Sequence, residues 1–316
     1  MKRLRAFSPA GVGNFAAGFD VLGASIAPED GSLWGDIVEI TETAAFAPPS
    51  LTCTGPFADR LPADPAENLV LRTKELFEQT IGRPLQPLAL TLTKGLPVCS
   101  GLASSAASVT ATAVALNAWC GEPLTPADLL DLAGRAEGLA SGAVHLDNVA
   151  PGILGGLLLI PPHGLPRRLP FPDDLRIVVA SPALALATRE ARAVLPREVP
   201  LALAIEHAQN LASLVHALHA GDRPLLRATL RDPLAEPWRA RLVPGFREAQ
   251  TEALDAGALG CSLSGAGPAV FAVAEEGDAP AVAAALARGF ASRGVAATVR
   301  VCRLDPHGAR ILESEE

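Results

Sequence analysis

The sequence predicts a folded two-domain protein that mixes strands with helices, and three observations carry that expectation. The 316 residues, 49% of them hydrophobic, can bury one large or two ordinary cores. Two periodicities alternate along the chain: Leu88, Leu90 and Leu92 recur at the spacing of a strand, whereas Val109, Ala113, Leu116 and Cys120 recur at that of a helix. A Pro-rich connection, Pro161 to Asp174, interrupts the pattern near mid-chain. The boundary is placed there, giving domains of residues 1–160 and 161–316.

The stretch KGLPVCSGLASSAASVTATAVALNAWC, Lys94 to Cys120, organises the rest. A strand runs into a loop in which Pro97, Gly101, Ala103, Ser104 and Ser105 bar regular structure and let a ligand approach bare backbone. The helix that follows stops at Gly121 and Pro123. Unpaired N–H groups, the positive end of a helix dipole and two hydroxyls make such a loop a phosphate site, with Ser104 or Ser105 able to reach a magnesium ion. It is not a Walker loop, which needs GxxxxGK[ST]; the lysines are only Lys2, Lys74 and Lys94.

Net charge is −8, so nothing suggests a broad nucleic-acid or membrane surface, and an anionic substrate must be gripped by a few local cations. Five scattered cysteines, an odd number without CxxC spacing, fit reduced thiols in a cytoplasm. The basic start MKRLRAF lacks the apolar core of a signal peptide, and no apolar run approaches the ~20 residues of a membrane span.

In order, residues 3–7 read as a first strand, and SPAGVGNFAAGFDVLG (Ser8 to Gly23) as a loop whose polar side chains Asn14 and Asp20 can cap turns. Asp36 to Thr41 alternates as a strand, and Asn68 caps a helix running to about Ile81. Thr125 and Pro126 begin another helix that ends near Gly138. Glu137 then falls in the last turn, where the dipole opposes a carboxylate unless a cation is near. The following segment, SGAVHLDNVAPGILGG, reads as a loop that gathers His145, Asp147 and Asn148 among small residues, and Ile153 to Ile160 as an apolar strand. Beyond the boundary, Leu175 to Ala180 is a strand, and Thr188 to Val194 opens a helix with Thr188 and Arg192 four apart on one face. A long helix places Ala204, Ala208, Leu211, Val215 and Leu218 on one stripe, while its His216 and His219 lack a third zinc ligand. DPLAEPWRARLVPG (Asp232 to Gly245) carries Arg239 and Arg241, and GCSLSGAGPAVFAV (Gly260 to Val273) bends tightly between two strands. A helix around Pro280 to Arg293, a strand from Ala296 to Cys302 and an acidic tail close the chain.

GLASSAAS resembles the second motif of the GHMP kinases, the family of galactokinase, homoserine kinase, mevalonate kinase and phosphomevalonate kinase, usually PxGxGLGSSAA. Cys99 and Ala103 stand where glycines are common. Ser8 to Gly23 resembles the first motif in its homoserine kinase form, PATSANLGPGFDVLG, and Gly260 to Val273 the third. Between them lie segments similar to the EGxxSGxxHxDNVAP, TxEAR and EPxR patterns of homoserine kinases. The resemblance runs from Ser8 to about Ile311.

It implies an α+β, two-domain GHMP kinase fold: an N-terminal domain like ribosomal protein S5 domain 2, a ferredoxin-like C-terminal domain, and the active site between them. It also implies transfer of the ATP γ-phosphoryl group to the side-chain hydroxyl of L-homoserine, in threonine synthesis. Backbone around Lys94, Pro97, Ser100, Gly101, Leu102, Ala103, Ser104, Ser105 and Ala106 would hold the phosphates, and Asn68 would lie beside the adenine. Glu137 with Ser104 or Ser105 would hold Mg2+. Asn14, Asp20, His145, Asp147 and Asn148 would line the amino-acid pocket, joined by Thr188, Arg192 and Arg239. Asn148, Glu137 and the two serines form the catalytic set. A mevalonate-kinase-like acceptor and a non-catalytic sensor on the same fold are the alternatives, and a homodimer is an open assembly.

Overall fold

Strands and helices appear where the two periodicities place them, with instructive exceptions. The computed structural model describes residues 2–43, 50–142 and 144–315. In chain order these hold β1 (Arg3–Gly13), β2 (Leu22–Pro28), β3 (Gly35–Glu42), β4 (Ser50–Thr54), α1 (Leu69–Ile81), β5 (Leu88–Thr93), α2 (Ser104–Trp119), α3 (Pro126–Ser141) and α4 (Leu146–Leu154). There follow β6 (Leu157–Leu159), β7 (Arg167–Leu169), β8 (Leu175–Pro182), α5 (Thr188–Ala193), α6 (Leu201–Ala220), α7 (Arg223–Thr229) and α8 (Glu236–Arg239). The chain ends with α9 (Phe246–Asp255), β9 (Gly260–Leu263), β10 (Val270–Glu275), α10 (Ala279–Ala291), β11 (Ala297–Leu304) and β12 (Arg310–Glu315).

The architecture is mixed α/β on one mixed sheet path, β4-β5-β3-β1-β2-β11-β8-β10-β9, with β4 parallel to β5. β1 joins the two halves. Its first part pairs with β3 and β12, and Ala10 to Gly13 then pair with β2. This is why the first strand exceeds the expected residues 3–7: the glycines of this segment let β2 approach closely, a Cβ on Gly11 falling 3.1 Å from Ala24 O. One cluster of buried residues lies among α1, α2, α3, β3 and β5, another between β8, β10, α9 and α10. A third, around Phe15, Leu102, Leu214 and Phe271, underlies the site.

Several expected boundaries differ. α3 continues to Ser141, so Glu137 sits a turn before the helix end rather than in its last turn. HLDNVAPGIL is a helix, not a loop, with Val149, Ala150 and Ile153 buried on it, and the apolar strand expected from Ile153 shrinks to β6. Pro151 and Gly152 masked this helix in the sequence, but its amphipathic burial outweighs their low propensity. On α6 the buried face carries Asn210, Leu214, Ala217 and Leu218, while Ala204 and Ala208 are exposed. The acidic tail is a strand, with Arg5 meeting Glu313 at 3.0 Å. No described helix is long and apolar enough to cross a membrane.

Candidate functional site

The loop before α2 is held by its carbonyls. Leu102 O accepts from Gly11 N (3.2 Å), Ser100 O from Ala269 N (2.9 Å) and Cys99 O from Leu186 N (3.0 Å). Gly101 O accepts from Ser264 Oγ at 2.6 Å, and a Cβ on Gly101 would lie 2.6 Å from Ser264 O, so only glycine lets the two loops touch. With the carbonyls engaged, the N–H groups are the polar groups left to meet a ligand. The N-cap of α2, Ala103, supplies no side-chain cap, and Ser100 Oγ is buried without a partner among the described residues. Cys99 and Ala103 adopt φ of 55° and 56°, the left-handed region in which glycine would be unstrained.

The side chains of the segment divide sharply. Lys94 does not offer its charge to the loop: its buried ammonium pairs with Asp36 and donates to Ser104 O at 2.6 Å and Ser108 Oγ at 3.0 Å. Asp36 also accepts from the N–H groups of Gly95 and Leu96. Ser104 Oγ turns inward to Leu96 O (3.3 Å), whereas Ser105 Oγ donates to Glu137 Oε1 at 2.9 Å. Leu102 and Ala106 are in the core, and Pro97 is half-buried. Asn68 is buried, its Oδ1 capping Val70 N and its Nδ2 on Cys53 Sγ at 3.5 Å.

A second group of polar side chains gathers beside this loop. Asn14 and Asp20 have φ of 65° and 57°, and Asn14 Oδ1 accepts from Asp20 N at 3.1 Å. Asn14 Nδ2 and Arg239 Nη1 both donate to Gly265 O, each at 3.0 Å. Arg192 grips Asp20 with two hydrogen bonds of 2.7 and 3.2 Å, and His145 Nδ1 lies 3.6 Å from the same carboxylate. Asp147 Oδ2 accepts from Asn148 Nδ2 at 3.2 Å. A Cβ on Gly13 would fall 2.8 Å from that Asp147 oxygen and 2.7 Å from Asn148 Oδ1, so glycine admits the pair against β1. Asp147 Oδ1, His145 Nε2 and Arg192 Nε are buried and unpartnered among the described residues. Burial, with the Asp20 charge, pushes the Asp147 carboxyl up to about 7, and burial pushes the His145 imidazole down. Burial and then the Arg192 charge lower the Arg239 guanidinium. Thr188 is exposed, one turn before Arg192, and Arg241 is exposed with its guanidinium over Trp238.

Residues 68–156 match the GHMP kinases N terminal domain, and residues 214–292 the GHMP kinases C terminal. A homoserine kinase from Cytophaga hutchinsonii is 34% identical, over 98% of this chain and 97% of that one, with a TM-score of 0.90. The chain belongs to the GHMP kinase family. A putative homoserine kinase from Listeria monocytogenes (23% identity, TM-score 0.73, 99% of each chain) shares the fold. So does an L. major mevalonate kinase in complex with R-mevalonate (18% identity, TM-score 0.68, 95% of each chain). The mixed architecture is therefore the two-domain GHMP fold.

Kinases of this family are phosphotransferases that use ATP as co-substrate, and the unpartnered Ser100 hydroxyl and uncapped α2 suit a polyanion. The oxygen donors of Ser105 and Glu137, already in contact, suit a hard divalent cation that draws its other ligands from phosphate and water. Two groups of this GHMP kinase site escaped sequence reasoning. Gly265 O has no side-chain signal at all. Phe19 does: it is the aromatic residue directly before Asp20 in a Gly- and Ala-rich segment.

Proposed function

We propose that this GHMP kinase transfers the γ-phosphoryl group of ATP to the side-chain hydroxyl of L-homoserine. The observation that carries the reading is the charge layout beside the phosphate loop. Two arginines from separate segments, Arg192 and Arg239, approach two carboxylates, Asp20 and Asp147, within one site. An α-amino acid presents a carboxylate and an ammonium a fixed distance apart, which such a layout matches and a mevalonate-type acceptor does not. Arg forks suit the carboxylate, Asp20 and Asp147 the ammonium.

Phosphoryl transfer mostly requires positioning and charge neutralisation. Backbone N–H groups from Ser100 to Ser105 would hold the phosphates, Ser105 and Glu137 would hold Mg2+, and Asn148 and His145 would orient the hydroxyl. When bound, Mg2+ offsets the negative charge spread over the phosphate oxygens. Lys94 acts in this scheme only through the fold, by fixing the first turn of α2 from within. Asn68 shapes the edge of the adenine site as the cap of α1. ADP release coupled to NADH oxidation, measured with homoserine, mevalonate, shikimate and galactose, tests the proposal. Turnover confined to homoserine is expected; faster turnover of an acceptor without an ammonium group, whether mevalonate, shikimate or galactose, overturns the amino-acid assignment and leaves the family.

A further inference from the structure

Arg192 and Arg239 come from α5 and α8, and what they share is one ring. The Phe19 ring centroid lies 5.6 Å from the Arg192 guanidinium carbon and 5.1 Å from that of Arg239. Like charges brought this close repel, and the negative face of an aromatic ring is a neutral group that attracts both. The ring is itself held. Its neighbour Asp20 is fixed at a φ of 57°, with its N–H on Asn14 Oδ1 and its carboxylate on Arg192. Phe19 is only half-buried, unlike Phe15 four positions earlier, which is in the core. Its ring therefore contributes less to packing than to what borders it.

We propose that Phe19 is a positioning residue that sets the spacing and plane of the Arg192 and Arg239 guanidiniums, so that an incoming carboxylate meets a preformed pair. Without the ring, Arg192 retains Asp20, and Arg239 retains Gly265 O and, through Nε, Ala191 O next to Arg192 on α5; these bonds keep the two segments together but leave the planes of the two guanidiniums without the face they share. The terminal nitrogens of the two forks then lose the surface that orients them toward each other. The kinetic consequence rests on the amino-acid reading above; the geometric one does not.

Phe19→Leu keeps an apolar side chain and removes the π face, whereas Phe19→Trp keeps the face. Phe19→Leu is expected to raise the homoserine KM about tenfold with kcat and ATP KM within about twofold, and Phe19→Trp to stay within about threefold of the parent. In the ligand-free protein, 15N relaxation of the Arg192 and Arg239 Nε–Hε resonances should show greater side-chain mobility in Phe19→Leu and parent-like order in Phe19→Trp. Unchanged order in Phe19→Leu overturns the proposal whatever the ligand. So does an unchanged homoserine KM in Phe19→Leu when Arg239→Ala is impaired, or equal impairment of the Leu and Trp variants, which would mean volume alone. If Arg239→Ala itself leaves the homoserine KM unchanged, the amino-acid reading fails and the resonances decide the positioning role.

Discussion

Asp147 holds a carboxyl pushed up to about 7, first by burial and then by the Asp20 charge, against the opposing pull of Arg192. Between pH ~4 and this value the folded protein keeps a proton that the unfolded chain has released. Stability therefore falls as pH rises through that window and levels off above it. Asp147→Asn removes the slope: it should exceed the parent in stability at pH 8 by up to about 4 kcal/mol and approach it at pH 4. Denaturant midpoints at both pH values check this, and parallel pH profiles for the two proteins contradict it. A ligand ammonium placed beside Asp147 would ionise it. Homoserine binding near pH 7 should accordingly release a fraction of a proton, seen as a buffer-dependent heat in calorimetry; equal heats in buffers of different ionisation enthalpy contradict that placement. At this scale the sequence showed which polar residues gather, because His145, Asp147 and Asn148 stand close together among small neighbours. It did not show that Asp20 spends its charge on Arg192, a contact across 172 positions.

Periodic elements were the legible ones. β5, α1 and α2 match their expected limits because alternating Leu marks β5, the Asn68 cap opens α1, and helical spacing ending at Gly121 bounds α2. α4 and β12 were not legible. Pro and Gly hide a helix that only tertiary burial supports, and an acidic strand looks like tail until Arg5 supplies its partner. Lys94 illustrates the same limit within one element: the segment it opens reads as a backbone cradle for phosphate, a pattern that says nothing of its side chain, and its ammonium closes a buried network with Asp36 that anchors the first turn of α2. Removing one partner of such a pair strands the other. Lys94→Met should lower unfolding free energy by about 3–5 kcal/mol, with ATP KM at a permissive temperature changed less than about threefold. Intact stability together with a large, selective rise in ATP KM would return Lys94 to the phosphates.

Across the whole molecule, one sheet path carries the chain from β4 to β9, and the last strand returns to the first. We propose the division at residue 160 as an organisational boundary; the site straddles it, with Asn14, Asp20 and Asp147 before and Arg192, Arg239 and Gly265 after. That convergence is the property no local pattern could supply, since it depends on Gly265 O accepting from both Asn14 and Arg239. It also distinguishes two arginines only two positions apart. Arg239 is buried in the site and Arg241 lies outside against Trp238. The decisive measurement is the homoserine KM of Arg239→Ala beside that of Arg241→Ala. Truncating one partner of a desolvated charge pair typically costs ~2–5 kcal/mol, so Arg239→Ala should raise the KM about thirtyfold or more, with a smaller effect on ATP. Arg241→Ala should stay within about twofold of the parent. A larger effect at Arg241, or no effect at either, contradicts the amino-acid site.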